Sequence, residues 1–293
     1  MDLYISILEQ GFIFGIMVLG VYITYKILDF PDLTVEGSFP LGAAVTASFI
    51  VKGINPYAAC FFSFLAGSAA GLATGVLHVK LKMTNLLAGI LVMIGLYSIN
   101  LRIMGKANIP LFNKTNIFTG MVPVAVIAAL FAICIKILLD LFLKTKFGFL
   151  LIATGDNPEL VTSLGINTGF TKIVGLMLSN ALVSLSGSLM AQYQNFADVG
   201  MGTGIIVMGL ASVIIGEAIL KKVSIILPTT MALIGSVLYR ACIAFALKLN
   251  FPATDLKLIT SLIVIVALAL NRYKIGERFK KLFTARGGID AAH

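Results

Sequence analysis

The sequence predicts an all-α, polytopic integral membrane bundle of about eight to ten spans, one of them short and broken or re-entrant. Three observations lead there. Of the 293 residues, 59% are hydrophobic and only 12% charged, where a soluble domain carries about 25% charged residues. Mean hydropathy is +1.01, too apolar for a surface that faces water. The apolar residues also fall in runs near the roughly 20 residues that cross a bilayer, separated by short polar turns. The whole chain, 1–293, reads as one transmembrane domain.

The elements follow in order. The first apolar run covers 3–28; residues 1–10 carry Asp2 and Glu9 but no Lys or Arg, so it reads as a retained span rather than a cleaved signal. A polar break at 29–40 and a short apolar piece at 41–51 follow. Pro31, Gly37, Pro40 and Gly42 argue for broken helix there. Further spans are expected at 56–77, 85–103 and 121–143, then, past a polar stretch at 144–167, at 171–191, 204–220, 223–246 and 256–269. Gly67, Gly71 and Gly75, four apart, share one helix face and invite close packing. The broken piece near the start and the Gly-rich piece at 199–209 hint at two related halves.

Basic residues set the orientation. The tail at 271–293 holds Arg272, Lys274, Arg278, Lys280, Lys281 and Arg286 and is expected in the cytoplasm. Lys221 and Lys222, the stretch 144–167 and the turn around Lys80 and Lys82 then share that side, with the N-terminus outside if the short piece at 41–51 crosses the membrane and inside if it is re-entrant. Arg102, Lys106 and Lys114 fall on the outer side. The formal net charge of +9 is thus a matter of topology and lipid headgroups, not of nucleic acid. Cys60, Cys134 and Cys242 lie singly in apolar runs and read as small buried hydrophobes. Two histidines, His78 and His293, make no metal cluster, and no catalytic constellation or GxxxxGK[ST] phosphate loop is present. The chain is not expected to be an enzyme or to hold a cofactor; ATP and Mg, if used, belong to another subunit.

The stretch 144–167, KTKFGFLLIATGDNPELVTSLGIN, is too polar to span yet carries a punctuated short helix. Asn157 is an N-cap, Pro158 suits the first position, Glu159 complements the positive helix end and Gly165 is a natural C′ residue, bounding a helix at about 158–164. So short a helix is unstable alone and must dock. It either rests on the membrane surface or serves as a peg for a cytoplasmic partner, with Leu160, Val161 and Leu164 as its apolar edge.

In the broken segment, Asp29, Asp32 and Glu36 put carboxylates beside irregular backbone, which in transporters marks substrate sites. The alternative is an interfacial loop with solvated acids. Glu36 is the leading pathway candidate, followed by Ser38, Thr34 and Phe39. In the span 85–103, Met93, Tyr97 and Asn100 form a polar and polarizable stripe suited to an aromatic solute, or else serve interhelical bonds. Glu217 is expected to pair with Lys221, and Lys136 with Asp140, at i, i+4 spacing; Arg240 stands alone in an apolar span.

These residues carry a resemblance. The run from Gly155, Asp156, Asn157, Pro158, Glu159 and Leu160 to Leu164 and Gly165 resembles the coupling loop of ABC importer permeases of the branched-chain amino acid and ribose type. The stretches DLTVEGSFPLGA at 32–43 and MGTGIIVMGLASVIIGE at 201–217 are similar to a tryptophan and tyrosine importer subgroup. Ala153-Thr154 departs from the Arg-Ala pair of many relatives. The resemblance implies a coupling helix seated in a cytoplasmic ATP-binding subunit and a second permease copy, with a homodimer expected. It also implies an extracytoplasmic solute-binding protein, a bacterial inner-membrane location and alternating access. It implies that 29–40 lines the pathway. Glu36 would attract the ammonium of an amino acid, a helix N-terminus its carboxylate, and Phe39, Tyr97 and Met93 an aromatic ring. An ion-coupled carrier, a membrane scaffold, and a sugar, nucleoside or branched-chain amino acid permease are the alternatives.

Overall fold

The structure, a computed structural model, describes residues 3–220, 226–248, 258, 260–262 and 265–266. Among these, six helices are long and apolar enough to cross a membrane. They are α1 (Leu3–Tyr22, continued by a π turn Ile23–Ile27), α3 (Pro56–Val79), α4 (Asn85–Met104), α5 (Val124–Leu143), α8 (Thr168–Gln194) and α10 (Pro228–Lys248). Two shorter apolar helices are α2 (Val35–Val51) and α9 (Ile205–Leu220). Two amphipathic pieces, α6 (Lys146–Asp156) and α7 (Pro158–Ser163), join α5 to α8. The expected span 256–269 lies largely, and the basic tail and Lys221–Lys222 wholly, outside the described residues.

Helix α8 is the axis of the bundle, and its small residues explain why. Gly187 lets the α2 backbone approach at Phe39, and Ser184 and Ser186 donate to the Ser63 and Ile13 carbonyls of neighbouring helices. Ser38 and Thr46 of α2 bond Asn180 and Ser188 of α8, each pair 142 residues apart, so these helices run parallel. Gly67, Gly71 and Gly75 of α3 lie against Asn180, Leu176 and Ile173 of α8, in descending order, so α3 runs antiparallel. The expected glycine face is therefore the α3–α8 interface. Ser179 and Ser186 donate to the Gly20 and Ile13 carbonyls of α1, again antiparallel, each at 2.7 Å. Gly216 and Gly235 close α9 onto α10.

These directions put the turns at 80–84 and 144–167 at one end of the bundle. At the other end a short antiparallel ribbon pairs β1 (Asn108–Pro110) with β2 (Phe196–Asp198). The N-terminus shares that second end with Lys106 and Lys114, the relative arrangement read from the sequence with 41–51 as a crossing. In the core, the Phe14 ring stacks on Phe39 at 5.8 Å and 5° and carries the Arg240 guanidinium 3.9 Å from its centroid. Arg240 thus meets an aromatic face, a desolvated cation–π contact.

Several expectations are corrected. The break between the first two spans is shorter than 29–40: helix begins at Val35, and Gly37, Pro40 and Gly42 lie inside it. Gly42 is needed because a side chain there would strike the Ser184 carbonyl. Pro40 has no N–H for the Glu36 carbonyl, which instead meets the backbone of Gly202. Glu217 meets Lys26 across the fold at 3.0 Å, a contact invisible to local spacing; its expected partner Lys221 lies outside the described residues. Lys136–Asp140 forms as expected at 2.7 Å. Cys60 is buried, accepting from Ser188 and Gln192, but Cys134 and Cys242 face outward. Helix α6 was not foreseen in the polar stretch; Thr145 caps it through the Gly148 N–H.

Candidate functional site

Two short helices begin inside the bundle and meet there. The chain leaves the end of α1, and Asp32 turns it: its carboxylate accepts the Thr34 N–H at 2.9 Å and the Asn180 amide at 2.7 Å. Asn180 also accepts from Ser38 at 2.7 Å and donates to the Leu176 carbonyl at 3.0 Å. Every polar group at this corner is thereby paired, as a fully buried Asp32 requires. Helix α2 then rises from Val35 with Glu36 in its first turn.

From the opposite end, the segment 199–204 leaves β2 and enters the bundle, turning into α9 at Ile205. Gly204 takes φ +81°, where a side chain would be strained, and Gly202 must be small because the Glu36 carbonyl and the Pro40 ring fill the space of a side chain. The Glu36 carboxylate accepts the Gly204 N–H at 3.0 Å. One carboxylate thus stands at the positive ends of two helices, its own α2 and the facing α9, and both dipoles favour its charge.

Beside this junction lies a cavity of about 340 Å3. Glu36, Gly37 and Pro40 form one wall, Met93, Tyr97, Ser98 and Asn100 of α4 a second, and Val199, Gly200 and Thr203 the third. The stripe expected on α4 is therefore brought to Glu36. Tyr97 is 52% exposed, so the cavity is open in the single chain. Asn100 is fully buried and donates to the Gly37 carbonyl at 3.2 Å.

Thr34, Ser38 and Phe39 do not reach the cavity. Thr34 is buried against Thr74 at 2.6 Å, Ser38 against Asn180, and Phe39 against Phe14. They face α3, α8 and α1 because α2 is helical from Val35, which points successive residues in different directions. The helix start expected to hold a substrate carboxylate is occupied by Glu36 itself. Sequence reasoning missed Ser98, Thr203 and the Gly204 N–H; the Gly-rich run at 199–209 was the local signal for the last two, and Ser98 adjoins Tyr97 on α4.

At the other end of the bundle, α7 has the expected punctuation. The Asn157 side chain accepts the Leu160 N–H at 3.0 Å, Pro158 opens the helix, Glu159 lies in its first turn and Gly165 takes φ +78°. Val161 is buried, whereas Leu160 and Leu164 are 57% and 69% exposed. Gly155, near the end of α6, lies on the Ile27 carbonyl at the end of the first span. Asp156 borders a second cavity, of about 360 Å3, with Lys26 and Asp140.

A sequence profile of the family described as branched-chain amino acid transport system permease component matches residues 3–269. The chain belongs to this family. This permease is 52% identical over 271 residues to the tyrosine transport system permease protein of Clostridioides difficile R20291, covering 92% of each chain. It is 29% identical over 189 residues to the autoinducer 2 import system permease protein LsrC of Escherichia coli K12, covering 63% of this chain and 55% of LsrC. Its fold matches PsaBC from Streptococcus pneumoniae, solved in complex with a Fab, at TM-score 0.54 and 14% identity over 93% of this chain and 92% of that one. At that identity the likeness concerns the fold alone. The permease is a multi-pass membrane protein of the ABC importer type, as the branched-chain and ribose-type resemblance implied.

Proposed function

We propose that this permease is the membrane subunit of an ATP-driven importer for an aromatic amino acid, tyrosine or tryptophan, in a bacterial cell membrane. The observation that carries the reading is the convergence of Glu36, Met93, Tyr97 and Asn100 on one cavity. Its volume lies in the range of small-molecule sites, roughly 300–1,000 Å3. It offers one carboxylate, an aromatic face and a thioether, a set suited to an ammonium and a ring. The 52% identity to a tyrosine transport permease supports the same choice. Because the cavity is open in the single chain, a second copy completes the pathway in this reading.

Energy comes from outside the chain. A separate ATPase subunit docks on α6 and α7, with Leu160 and Leu164 as the contact and Gly155 transmitting motion to the end of α1. An extracytoplasmic binding protein delivers the solute. Taking a two-state bundle from 1:99 to 99:1 needs about 5.5 kcal/mol, within what nucleotide-driven closure of an ATPase dimer supplies. Co-expression with an ATPase subunit and a binding protein of the same importer type, followed by uptake of labelled tyrosine, tests the reading. Accumulation is expected for tyrosine or tryptophan; accumulation only of a sugar or a branched-chain amino acid would overturn the substrate assignment.

A further inference from the structure

Asn100 is the unexplained group of the cavity. It is fully buried, it borders the cavity, and its Oδ1 has no hydrogen-bond partner among the described residues. The amide orientation is not arbitrary. Its nitrogen faces the Gly37 carbonyl at 3.2 Å, where an oxygen would set acceptor against acceptor. The oxygen is therefore the unpaired group of this side chain. A buried acceptor without a donor is costly to leave unmade, and such exceptions ask for an explanation.

The other polar groups say what would satisfy it. One oxygen of Glu36 accepts the Gly204 N–H, and the carboxylate has acceptor capacity to spare. Tyr97, Ser98 and Thr203 bring hydroxyls, which adapt to either role. No Lys, Arg or His lines the cavity among the described residues. The cavity thus carries a negative charge, an orphan acceptor and no fixed cation, while the α9 N-terminus already serves Glu36.

Resting on the amino acid reading above, we infer that Asn100 Oδ1 and Glu36 together hold the ammonium of the substrate. Asn100 is then a specificity residue that selects for N–H donors, not a strut of the α2–α4 contact. For the carboxylate of the substrate the cavity offers no fixed cation, only the hydroxyls of Tyr97, Ser98 and Thr203.

The assembled importer, with ATPase and binding protein in proteoliposomes, gives the test. Tyrosine transported per ATP hydrolysed is measured for the wild type, Asn100→Leu and Asn100→Asp. Asn100→Leu removes both amide groups; Asn100→Asp, held as the neutral acid by burial, keeps an acceptor oxygen and turns its O–H to the Gly37 carbonyl in place of the amide nitrogen. The expected result is about a tenfold or greater fall in Asn100→Leu, the usual effect of a lost hydrogen bond to a charged group, with Asn100→Asp within about threefold of wild type. Should Leu not be accommodated, Asn100→Ala carries the same expectation without added bulk. Equal loss in the acceptor-bearing and acceptor-free variants, or no loss in either, overturns the role of Oδ1. Absence of tyrosine uptake by the wild type overturns the amino acid reading itself.

Discussion

Glu36 and Gly204, 168 residues apart in sequence, are joined by a 3.0 Å hydrogen bond that ties the first turn of α2 to the start of α9. The bond places a carboxylate where two helix dipoles converge, inside a largely apolar bundle. It explains why an acid is tolerated there and why it stays beside a cavity.

Glu36→Gln keeps an oxygen for the Gly204 N–H and removes only the charge. Its expected effect is a fall of tenfold or more in tyrosine uptake, with assembly on the ATPase and basal ATP hydrolysis unchanged. Uptake assays beside co-purification check it. Wild-type uptake would remove Glu36 from the pathway.

Leu160→Asp places a charge on the exposed edge of α7 and is expected to leave the bundle folded while uncoupling ATP hydrolysis from uptake. Val161→Asp, on the buried side of the same helix, is expected instead to destabilise the fold, since it buries an unpaired carboxylate. Hydrolysis, uptake and thermal unfolding of the two variants, measured together, separate docking from folding.

Asn180→Leu strips donors or acceptors from Asp32, Ser38 and Leu176 at once. Each buried group left unpaired costs about 1–3 kcal/mol. A marked fall in the thermal unfolding temperature in detergent is expected, larger than for Ser98→Ala, whose hydroxyl lies at the open cavity.

Gly42→Val drives a side chain into the Ser184 carbonyl where α2 crosses α8. Overpacking of this kind costs about 1–3 kcal/mol. Lower yield and earlier unfolding are expected, with no specific change in substrate preference.

Much of this architecture was legible because lipid imposes strong local rules. Runs of about 20 apolar residues, the α3 glycines and the Asn157–Pro158 helix start are all written within a few turns of chain. The α4 stripe was legible for the same reason, since Met93, Tyr97 and Asn100 repeat at helical spacing. What local reading lost was depth and partnership. Pro40 and Gly42 looked like breakers of α2, because nothing local shows that Gly202 lies against the Glu36 carbonyl or that Ser184 needs Gly42. Thr34, Ser38 and Phe39 looked like pathway residues because they neighbour Glu36 in sequence; on a helix, neighbours point apart. Lys26–Glu217 and Glu36–Gly204 are tertiary contacts, and no spacing rule reaches them.

The most direct measurement is tyrosine uptake into proteoliposomes containing this chain alone or with its ATPase, under ATP or under an imposed proton or sodium gradient. The account requires uptake only with the ATPase, ATP and binding protein present, and its loss in Leu160→Asp. Gradient-driven uptake by the chain alone would contradict it.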